Sequence, residues 1–320
     1  MKHRDFYLDN ICGILILYMI FILHCGDIAK SHSVLSSLLG KLLFSFMMPW
    51  FFFKSGMFAD KAKFDIKRNF KKFIRPYILF TIYGWVIMLL YYLYLGIFSM
   101  ENLFINPVKQ IILYGGIEWN MPLWFLLGLF LVKMLFSFFK IYKFKWSFLY
   151  VALCCYLLSK VITIPYFIGF TTIGLFYFIC GDLLRNKQFN KYIFLIALIL
   201  FAIALFTKLY SSFDIRLNQV GIYDMYLVDL VVALSGIILF NNLSFVFLNR
   251  NIPVLSFVGR NSMIFYTIHY PMMILIYNLI NENELLNSYL ILCILLAGYL
   301  MIGILFSKSY IYQRIMSNHA

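Results

Sequence analysis

Residues 191–209 read KYIFLIALILFAIALFTKL, a run in which the only charges are Lys191 and Lys208, one near each end. A helix crosses the hydrocarbon core of a bilayer with about 20 mostly apolar residues, and this run has that length and composition. A soluble domain rarely carries so long an uninterrupted apolar run. The run therefore predicts a transmembrane helix.

The same pattern recurs along the whole chain. Runs of comparable length cover approximately 8–27, 36–58, 74–98, 121–139, 147–164, 167–184, 191–209, 223–240, 261–280 and 286–306. The apolar stretch 103–114 is too short to span, so an interfacial or re-entrant helix is expected there. These runs predict an all-α fold, a polytopic membrane helix bundle of about ten transmembrane helices.

The composition supports this fold class and excludes others. Of the 320 residues, 63% are hydrophobic and only 12% are charged, and the mean hydropathy is +0.88. Soluble domains have about 45–50% apolar and about 25% charged residues, so soluble enzymes, disordered proteins and secreted disulfide scaffolds are excluded. No linker or convincing internal repeat interrupts the pattern, and residues 1–320 are expected to form one integral-membrane domain.

The distribution of charge predicts the orientation. The net charge of +14 comes from 27 basic and 13 acidic residues. With the N-terminus in the cytoplasm, most basic residues fall in loops on that side, as the positive-inside rule requires. We therefore expect both termini in the cytoplasm of a multi-pass plasma-membrane protein. The basic charge is explained by the lipid bilayer, and no nucleic-acid partner is expected.

The most basic part of the chain is the loop 59–76, ADKAKFDIKRNFKKFIRP. Its cations recur at helical spacing, which predicts a basic amphipathic helix on the inner membrane surface, ended by Pro76. One interpretation is an anchor on anionic lipid. The other is a cationic mouth that attracts a polyanionic ligand carrying a nucleotide. The repeating cations are Lys63, Lys67 and Lys71, together with Arg68 and Lys72.

Two histidines fall inside predicted spans. His24 ends the first one (ILILYMIFILHCGD, 14–27), and His269 lies in the ninth within GRNSMIFYTIHYPMM (259–273). An ionisable group at membrane depth is costly and is a candidate functional residue with a partner. Imidazole, with an unperturbed pKa near 6.5, can accept and return a proton at neutral pH. The alternative is a structural role in hydrogen bonding and packing.

Pro271 follows His269 by two residues and is expected to break the helix locally. Such a break frees backbone carbonyl groups beside the imidazole. Polar side chains that precede the histidine on this segment include Asn261, Ser262 and Tyr266. The segment is therefore either a structural polar cluster that holds the kink or part of a functional site.

The segment 115–128, GGIEWNMPLWFLLG, is expected at the outer interface. Its tryptophans are typical of an interfacial aromatic belt. A carboxylate and an amide beside aromatic rings also suit sugar binding, through Glu118, Trp119, Asn120 and Trp124. The chain has no phosphate-binding glycine loop, metal-ligand spacing or hydrolase motif, so no metal site and no permanently bound cofactor are predicted.

Taken together, these landmarks resemble the acyltransferase-3 family of integral-membrane acyltransferases, which O-acetylate cell-surface sugars. The resemblance rests on the first helix ending in His24 and on three further motifs. The motifs are FSFMMPWFFFKSGMF (44–58) followed by KKFIRPYILF (71–80), PLWFLLGLF (122–130) and GRNSMIFYTIHYP (259–271). They span nearly the whole chain in this order.

The resemblance implies a ten-helix bundle that transfers an acyl group from acetyl-CoA, a co-substrate arriving from the cytoplasm. The acceptor would be a hydroxyl of a cell-surface polysaccharide or of its lipid-linked precursor. His24 matches the essential first-helix histidine and is expected to be the general base, with His269 as its partner. The donor phosphates are expected on Arg4, Arg68, Lys72 and Arg75. Substrate contacts are expected from Glu118, Trp119, Asn120, Trp124, Asn261, Ser262 and Tyr266.

One position departs from the family pattern. The family usually carries Arg or Lys eleven residues before the first-helix histidine, and this chain has Gly13 there, although Asp9 matches an acidic position. The rival hypothesis is a polytopic transporter or flippase of a small polar molecule or glycan precursor, with histidines that relay protons. Transporters often carry inverted repeats, and none is evident in this sequence.

Overall fold

All regular structure that is described is helical, which confirms the all-α prediction. We analysed a computed structural model, which describes residues 5–28, 38–59, 65–97, 99–140, 153, 166–185, 187, 189–206, 226–282 and 288–307. Of the helices in these described ranges, three contain π-helical segments. They are α1 (Phe6–Leu17, π-helical Tyr18–His24 and Cys25–Ile28), α3 (Ile66–Asn69, π-helical Phe70–Ile74 and Arg75–Tyr94) and α4 (π-helical Glu101–Ile105 and Asn106–Tyr114).

The other helices are regular. They are α2 (Leu38–Met57), α5 (Trp124–Lys140, preceded by a 3₁₀ segment Glu118–Leu123), α6 (Tyr166–Leu184), α7 (Lys191–Phe206), α8 (Tyr226–Phe247), α9 (Pro253–Arg260), α10 (Ser262–Glu282) and α11 (Ser288–Ser307). Each of these, except α9, occupies one of the predicted apolar runs, and the largest difference is at α8, which ends at Phe247 where the predicted run ended at 240.

The structure supports a multi-pass membrane protein. Within the described residues, five stretches are long and apolar enough to cross a bilayer: Phe6–His24, Ile66–Tyr94, Glu101–Phe138, Leu230–Phe247 and Ser262–Ile280. Three shorter apolar helices accompany them: Thr171–Leu184, Lys191–Ala204 and Ile291–Ile302. The count of ten spans and the cytoplasmic termini stay predictions, and the predicted span 147–164 lies outside the described residues.

The basic segment and the third span form one helix, so the prediction that Pro76 ends the basic helix is wrong. The chain is helical from Ile66 to Tyr94. A proline lacks the N–H and crowds the carbonyl four residues earlier. Here Pro76 lies in the first turn of the regular α-helical part, directly after the π-helical segment Phe70–Ile74. A π turn has a wider hydrogen-bond spacing, and in this position it accommodates the proline without ending the helix.

The short stretch 103–114 lies in α4, which ends at Gly115. This glycine has a φ of 74°, in the left-handed region that terminates helices. Ile117 is extended, and the 3₁₀ segment Glu118–Leu123 follows. The chain thus leaves the helical conformation between α4 and the 3₁₀ segment, and the interfacial or re-entrant placement of α4 stays a prediction.

The described contacts group the chain into two units. Unit one comprises Met1–Ile11, Leu38–Ile66 and Gly128–Ile252, and unit two comprises Cys12–Ser37, Lys67–Leu127 and Pro253–Ala320. In unit one, α2 packs against α6 and α8, and α7 packs against α8. In unit two, α10 is central and packs against α11, α3, the 3₁₀ segment and the π-helical part of α1. The single domain 1–320 stays a prediction.

Unit one is held by close backbone approach and aromatic packing. Gly56 of α2 lies so near the carbonyl of Phe178 on α6 that a Cβ would clash with the backbone. The indole Nε1 of Trp50 donates to Asn241 Oδ1 at 2.8 Å, and both side chains are fully buried. A small residue is therefore required where α2 meets α6, since backbone cannot move aside as a side chain can.

Candidate active site

The two histidines of the predicted spans contact one another in unit two. His24 Nδ1 lies 2.8 Å from His269 Nε2, although 245 residues separate them in the chain. The ring planes are parallel to within 2°, and the centroids are 5.1 Å apart. Because the two nitrogens are closer than van der Waals contact, the rings meet edge to edge in a common plane and do not stack. This geometry is that of a direct N–H···N hydrogen bond.

The other nitrogen of His269 is anchored to its own helix. Nδ1 lies 3.0 Å from the carbonyl oxygen of Phe265 and 2.9 Å from that of Tyr266. The expected local break at Pro271 is not observed, since α10 is continuous from Ser262 to Glu282. The carbonyl groups that contact the imidazole belong to the preceding turn, and the carbonyl that Pro271 leaves without an N–H is that of Thr267, four residues before the proline.

The two histidines differ in accessibility. His269 is completely buried, whereas His24 keeps part of its surface exposed. Among the described residues, His24 Nε2 has no hydrogen-bond partner. Part of the His24 ring therefore lies at the surface of the described structure, whereas His269 lies inside it.

The histidine pair has a mostly apolar surround. The ring of Tyr270 is edge-on to His24 at 5.2 Å and to His269 at 6.0 Å. Next to His24, the buried Cys25 Sγ lies 3.7 Å from Met273 Sδ. Apolar surroundings strengthen the electrostatic interactions of the imidazoles. The spacing of Tyr266, His269, Tyr270 and Met273 places them on one face of α10, a signal available in the sequence.

A π-helical segment positions His24. It runs from Tyr18 to His24, and the N–H of Cys25 still donates to the carbonyl of Ile20, five residues earlier. A π turn places side chains at a different angle from an α turn, and such turns are frequent at functional sites. Sequence patterns do not distinguish the two kinds of turn, so this feature was not predicted.

Asn120 fastens the 3₁₀ segment to α10. Its Nδ2 donates to the carbonyl oxygens of Thr267 at 3.1 Å and of Phe80 at 3.0 Å. In an unbroken helix the carbonyl of Thr267 would accept from the N–H of residue 271, which is a proline and has none. Asn120 thus satisfies the carbonyl that Pro271 frees. Its Oδ1 is buried with no partner among the described residues.

Tyr266 makes the second such link, because its hydroxyl donates to the carbonyl of Pro122. Asn120 and Tyr266, both predicted as substrate contacts, therefore bind protein backbone in this structure. Trp119 is buried against Tyr91 and Tyr92, with ring centroids 5.3 and 6.3 Å away. These contacts describe packing, and substrate binding by these residues stays a prediction.

The remaining predicted substrate residues are Glu118, Asn261, Trp124 and Ser262. Glu118 is exposed, and its backbone N–H donates to Gln110 Oε1 at 2.7 Å. Asn261 Nδ2 donates to the carbonyl of Phe257 at 2.9 Å, between α9 and α10. Trp124 is buried beside Phe125, and Ser262 is the first residue of α10.

Three of the four cations predicted to bind the donor phosphates lie on α3. Arg68 and Lys72 are exposed and Arg75 is half-buried, while Arg4 lies outside the described residues. Gly13, where the family usually has a cation, faces the carbonyl of Leu255 on α9 so closely that a Cβ would clash with it. The structure thus explains this departure, since no larger side chain fits at position 13 with α9 in place.

Comparison with known proteins identifies the family. The acyltransferase-3 family model, described as an acyltransferase domain, matches residues 5–308 and so includes both histidines. Neither a curated protein nor a solved structure gives a significant match. Family membership favours the enzyme hypothesis over the transporter hypothesis. The chain belongs to the acyltransferase-3 family and is a membrane acyltransferase.

Proposed function

We propose that the protein transfers an acetyl group from acetyl-CoA to a hydroxyl of a cell-surface polysaccharide, or of its lipid-linked precursor, at the plasma membrane. The observation that carries the proposal is the hydrogen-bonded pair of His24 and His269 in a chain of this family. A buried histidine that orients a more exposed one is the arrangement expected for a general base.

The reaction needs a base more than any other group. A thioester is already activated, whereas an alcohol is a weak nucleophile until its proton is removed. The hydroxyl proton passes to His24 while the oxygen forms a bond to the acetyl carbonyl carbon. The carbon–sulfur bond then breaks, and the CoA sulfur takes the proton from His24, which yields an ester and free CoA. General-base catalysis contributes about 10²–10⁴-fold to such a step.

We assign the donor to the cytoplasmic side. CoA carries several phosphates, and the exposed cations Arg68 and Lys72 of α3 lie in the most basic segment of the chain. Clustered positive charge raises the local concentration of an anionic ligand. Acetyl-CoA acts as a co-substrate, and the proposal needs no permanently bound cofactor or metal.

The proposed acceptor is a sugar hydroxyl. The 3₁₀ segment Glu118–Leu123 carries the exposed carboxylate of Glu118 and is bound to α10 through Asn120. A carboxylate accepts hydrogen bonds from hydroxyl groups. Trp119, Asn120 and Trp124 are buried, so the exposed Glu118 is the residue that supports a carbohydrate as the acceptor.

An acetyl-transfer assay tests the proposal. Protein purified in detergent is mixed with labelled acetyl-CoA and with surface polysaccharide isolated from cells that lack the gene. This polysaccharide is unacetylated if the proposal holds. We expect label in the polysaccharide with the wild-type protein and a loss of at least about 10²-fold with His24→Ala. His319→Ala, a change of a terminal histidine, is the control. Equal incorporation by His24→Ala and wild type would remove His24 from the mechanism.

A further inference from the structure

We infer that the proton-accepting atom of the site is Nε2 of His24, and that His269 is a positioning residue that fixes His24 in the tautomer with this atom unprotonated. The inference rests on the proposed function only in that His24 takes a proton. The assignment of the two tautomers follows from the contacts alone.

The assignment begins at the buried end of the pair. His269 Nδ1 faces two carbonyl oxygens, those of Phe265 and Tyr266, at 3.0 and 2.9 Å. Carbonyl oxygens only accept hydrogen bonds, so Nδ1 must carry the hydrogen and donate it. A neutral imidazole has one N–H. His269 Nε2 is therefore unprotonated and can only accept.

The contact between the two rings then determines the tautomer of His24. His269 Nε2 lies 2.8 Å from His24 Nδ1, and one of these two nitrogens must donate. Since His269 Nε2 is unprotonated, His24 Nδ1 is the donor. Neutral His24 then has its hydrogen on Nδ1 and a free lone pair on Nε2. The opposite assignment would set an unprotonated nitrogen against two buried carbonyls, at the cost of an unsatisfied buried acceptor.

The ring geometry is compatible with the hydrogen bond between the histidines. An imidazole lone pair and N–H both lie in the plane of their own ring, so each ring must direct its nitrogen along the line to the other. The rings do so edge to edge, with an angle of 2° between their planes. The choice between the two tautomers rests on the carbonyl contacts of His269.

The hydrogen bonds from His24 to His269 and from His269 to the two carbonyls also stabilise the charged form of His24. When Nε2 accepts a proton the ring becomes a cation, and its Nδ1–H donates a charge-assisted hydrogen bond, which is stronger than a neutral one. His269 is polarised in turn and donates more strongly to its two carbonyls. Since His269 is completely buried, it acts through His24 and does not touch the substrate.

Two substitutions of His269 separate positioning from mere packing. Glutamine places its amide near the position of Nε2, where its oxygen can accept from His24 Nδ1–H. Asparagine places its amide near the position of Nδ1, where it can donate to the carbonyls but cannot reach His24. If His269 served only to hold its own helix, the asparagine variant, which keeps the bonds to the carbonyls, would be at least as active as the glutamine variant.

We expect His269→Gln to keep most of the turnover and His269→Asn to lose it by on the order of tenfold to a hundredfold, with a small change in KM. Thermal unfolding of both variants accompanies the assay. An asparagine variant that is as active as the glutamine variant, at equal thermal stability, would overturn the positioning role.

Nitrogen-15 NMR of the histidine rings tests the tautomer without any activity. In wild-type protein labelled at histidine, at a pH at which both rings are neutral, we expect His24 Nε2 to give the downfield signal of an unprotonated nitrogen. His24→Ala assigns the signal, and His269→Asn is expected to shift it toward the average of two tautomers. A protonated Nε2 with an unprotonated Nδ1 in His24 would refute the assignment. The expected tautomer without acetyl transfer would instead refute the proposed function alone.

Discussion

The two units of this protein use their distinctive residues in different ways. In unit one the distinctive motif MPWFFFKSG serves packing: Gly56 allows backbone contact with α6, and Trp50 is fully buried on Asn241. In unit two the distinctive residues are polar side chains that satisfy irregular backbone. His24 ends a π-helical segment, and Asn120 binds the carbonyl freed by Pro271. A recognisable motif therefore does not by itself mark the chemistry.

This contrast gives an expectation for mutagenesis. Changes in unit one should lower stability and leave the activity of the remaining folded protein unchanged. Changes at the polar contacts of unit two should lower activity by more than their effect on stability explains. The following variants test whether the two units differ in this way.

The largest effect on stability is expected from Gly56→Ala. The added Cβ meets the backbone carbonyl of Phe178, which cannot rotate away, so α2 and α6 must separate. Overpacking of this kind costs about 1–3 kcal/mol, occasionally more. The yield of monodisperse protein and its thermal midpoint should both fall. Gly298→Ala is the matched control, because no atom of the described residues lies within 4 Å of the new Cβ. Equal midpoints for the two variants would contradict the close-approach explanation.

Gly13→Ala tests whether a close approach of the same kind occurs in unit two. A Cβ at position 13 meets the carbonyl of Leu255, and we expect a destabilisation of about 1–3 kcal/mol. Gly13→Arg, which restores the usual family cation, should be less stable still and should not tighten binding of acetyl-CoA. Thermal unfolding and equilibrium binding of labelled CoA check both outcomes. A stable Gly13→Arg protein that binds CoA more tightly would show that α9 can move aside.

Asn120→Ala should cost about 1–3 kcal/mol, because it leaves a buried carbonyl without its donor. Pro271→Ala supplies an N–H to the carbonyl of Thr267, so the double variant should lose less than the sum of the single losses. Denaturant unfolding of the wild type, both single variants and the double variant forms a complete cycle. Strict additivity would show that Asn120 does not serve the carbonyl freed by Pro271.

The smallest effect is expected from Lys54→Met in unit one. The Lys54 ammonium lies 5.1 Å from the centre of the Trp50 ring and 3.4 Å from the carbonyl oxygen of Leu8. A cation–π contact of this kind contributes about 0.5–1 kcal/mol, and methionine keeps the apolar stem. Acetyl transfer per folded molecule should be unchanged. A large loss of turnover at unchanged stability would place Lys54 in the catalytic machinery and break the division between the units.

Sequence reasoning located the helices because apolar runs bounded by charges and prolines determine where a chain can enter lipid. The predicted run 167–184 corresponds to Tyr166–Leu184, and 261–280 corresponds to Ser262–Glu282. The prediction that a helix ends at Pro76 failed, because the rule that proline ends a helix assumes an α-helical turn before the proline. The chain has a π-helical turn there, and no residue pattern in the segment distinguishes the two.

The candidate site was predictable only in part. Two histidines inside apolar spans are conspicuous, and each was expected to need a partner. Their geometry was not predictable, because the contact joins residues 245 positions apart. The bond from Asn120 to Thr267 likewise spans 147 positions. Such contacts depend on how helices pack, which hydrophobic periodicity does not specify.

The most direct test of the central claim is a single-turnover measurement on His24→Gln. Protein in excess over labelled acetyl-CoA, with unacetylated polysaccharide as acceptor, reports the chemical step without product release. Glutamine keeps hydrogen-bonding capacity but cannot take a proton at neutral pH. We predict that ester formation slows by about 10²–10⁴-fold while the thermal midpoint stays close to that of the wild type. Ester formation at the wild-type rate would contradict the account.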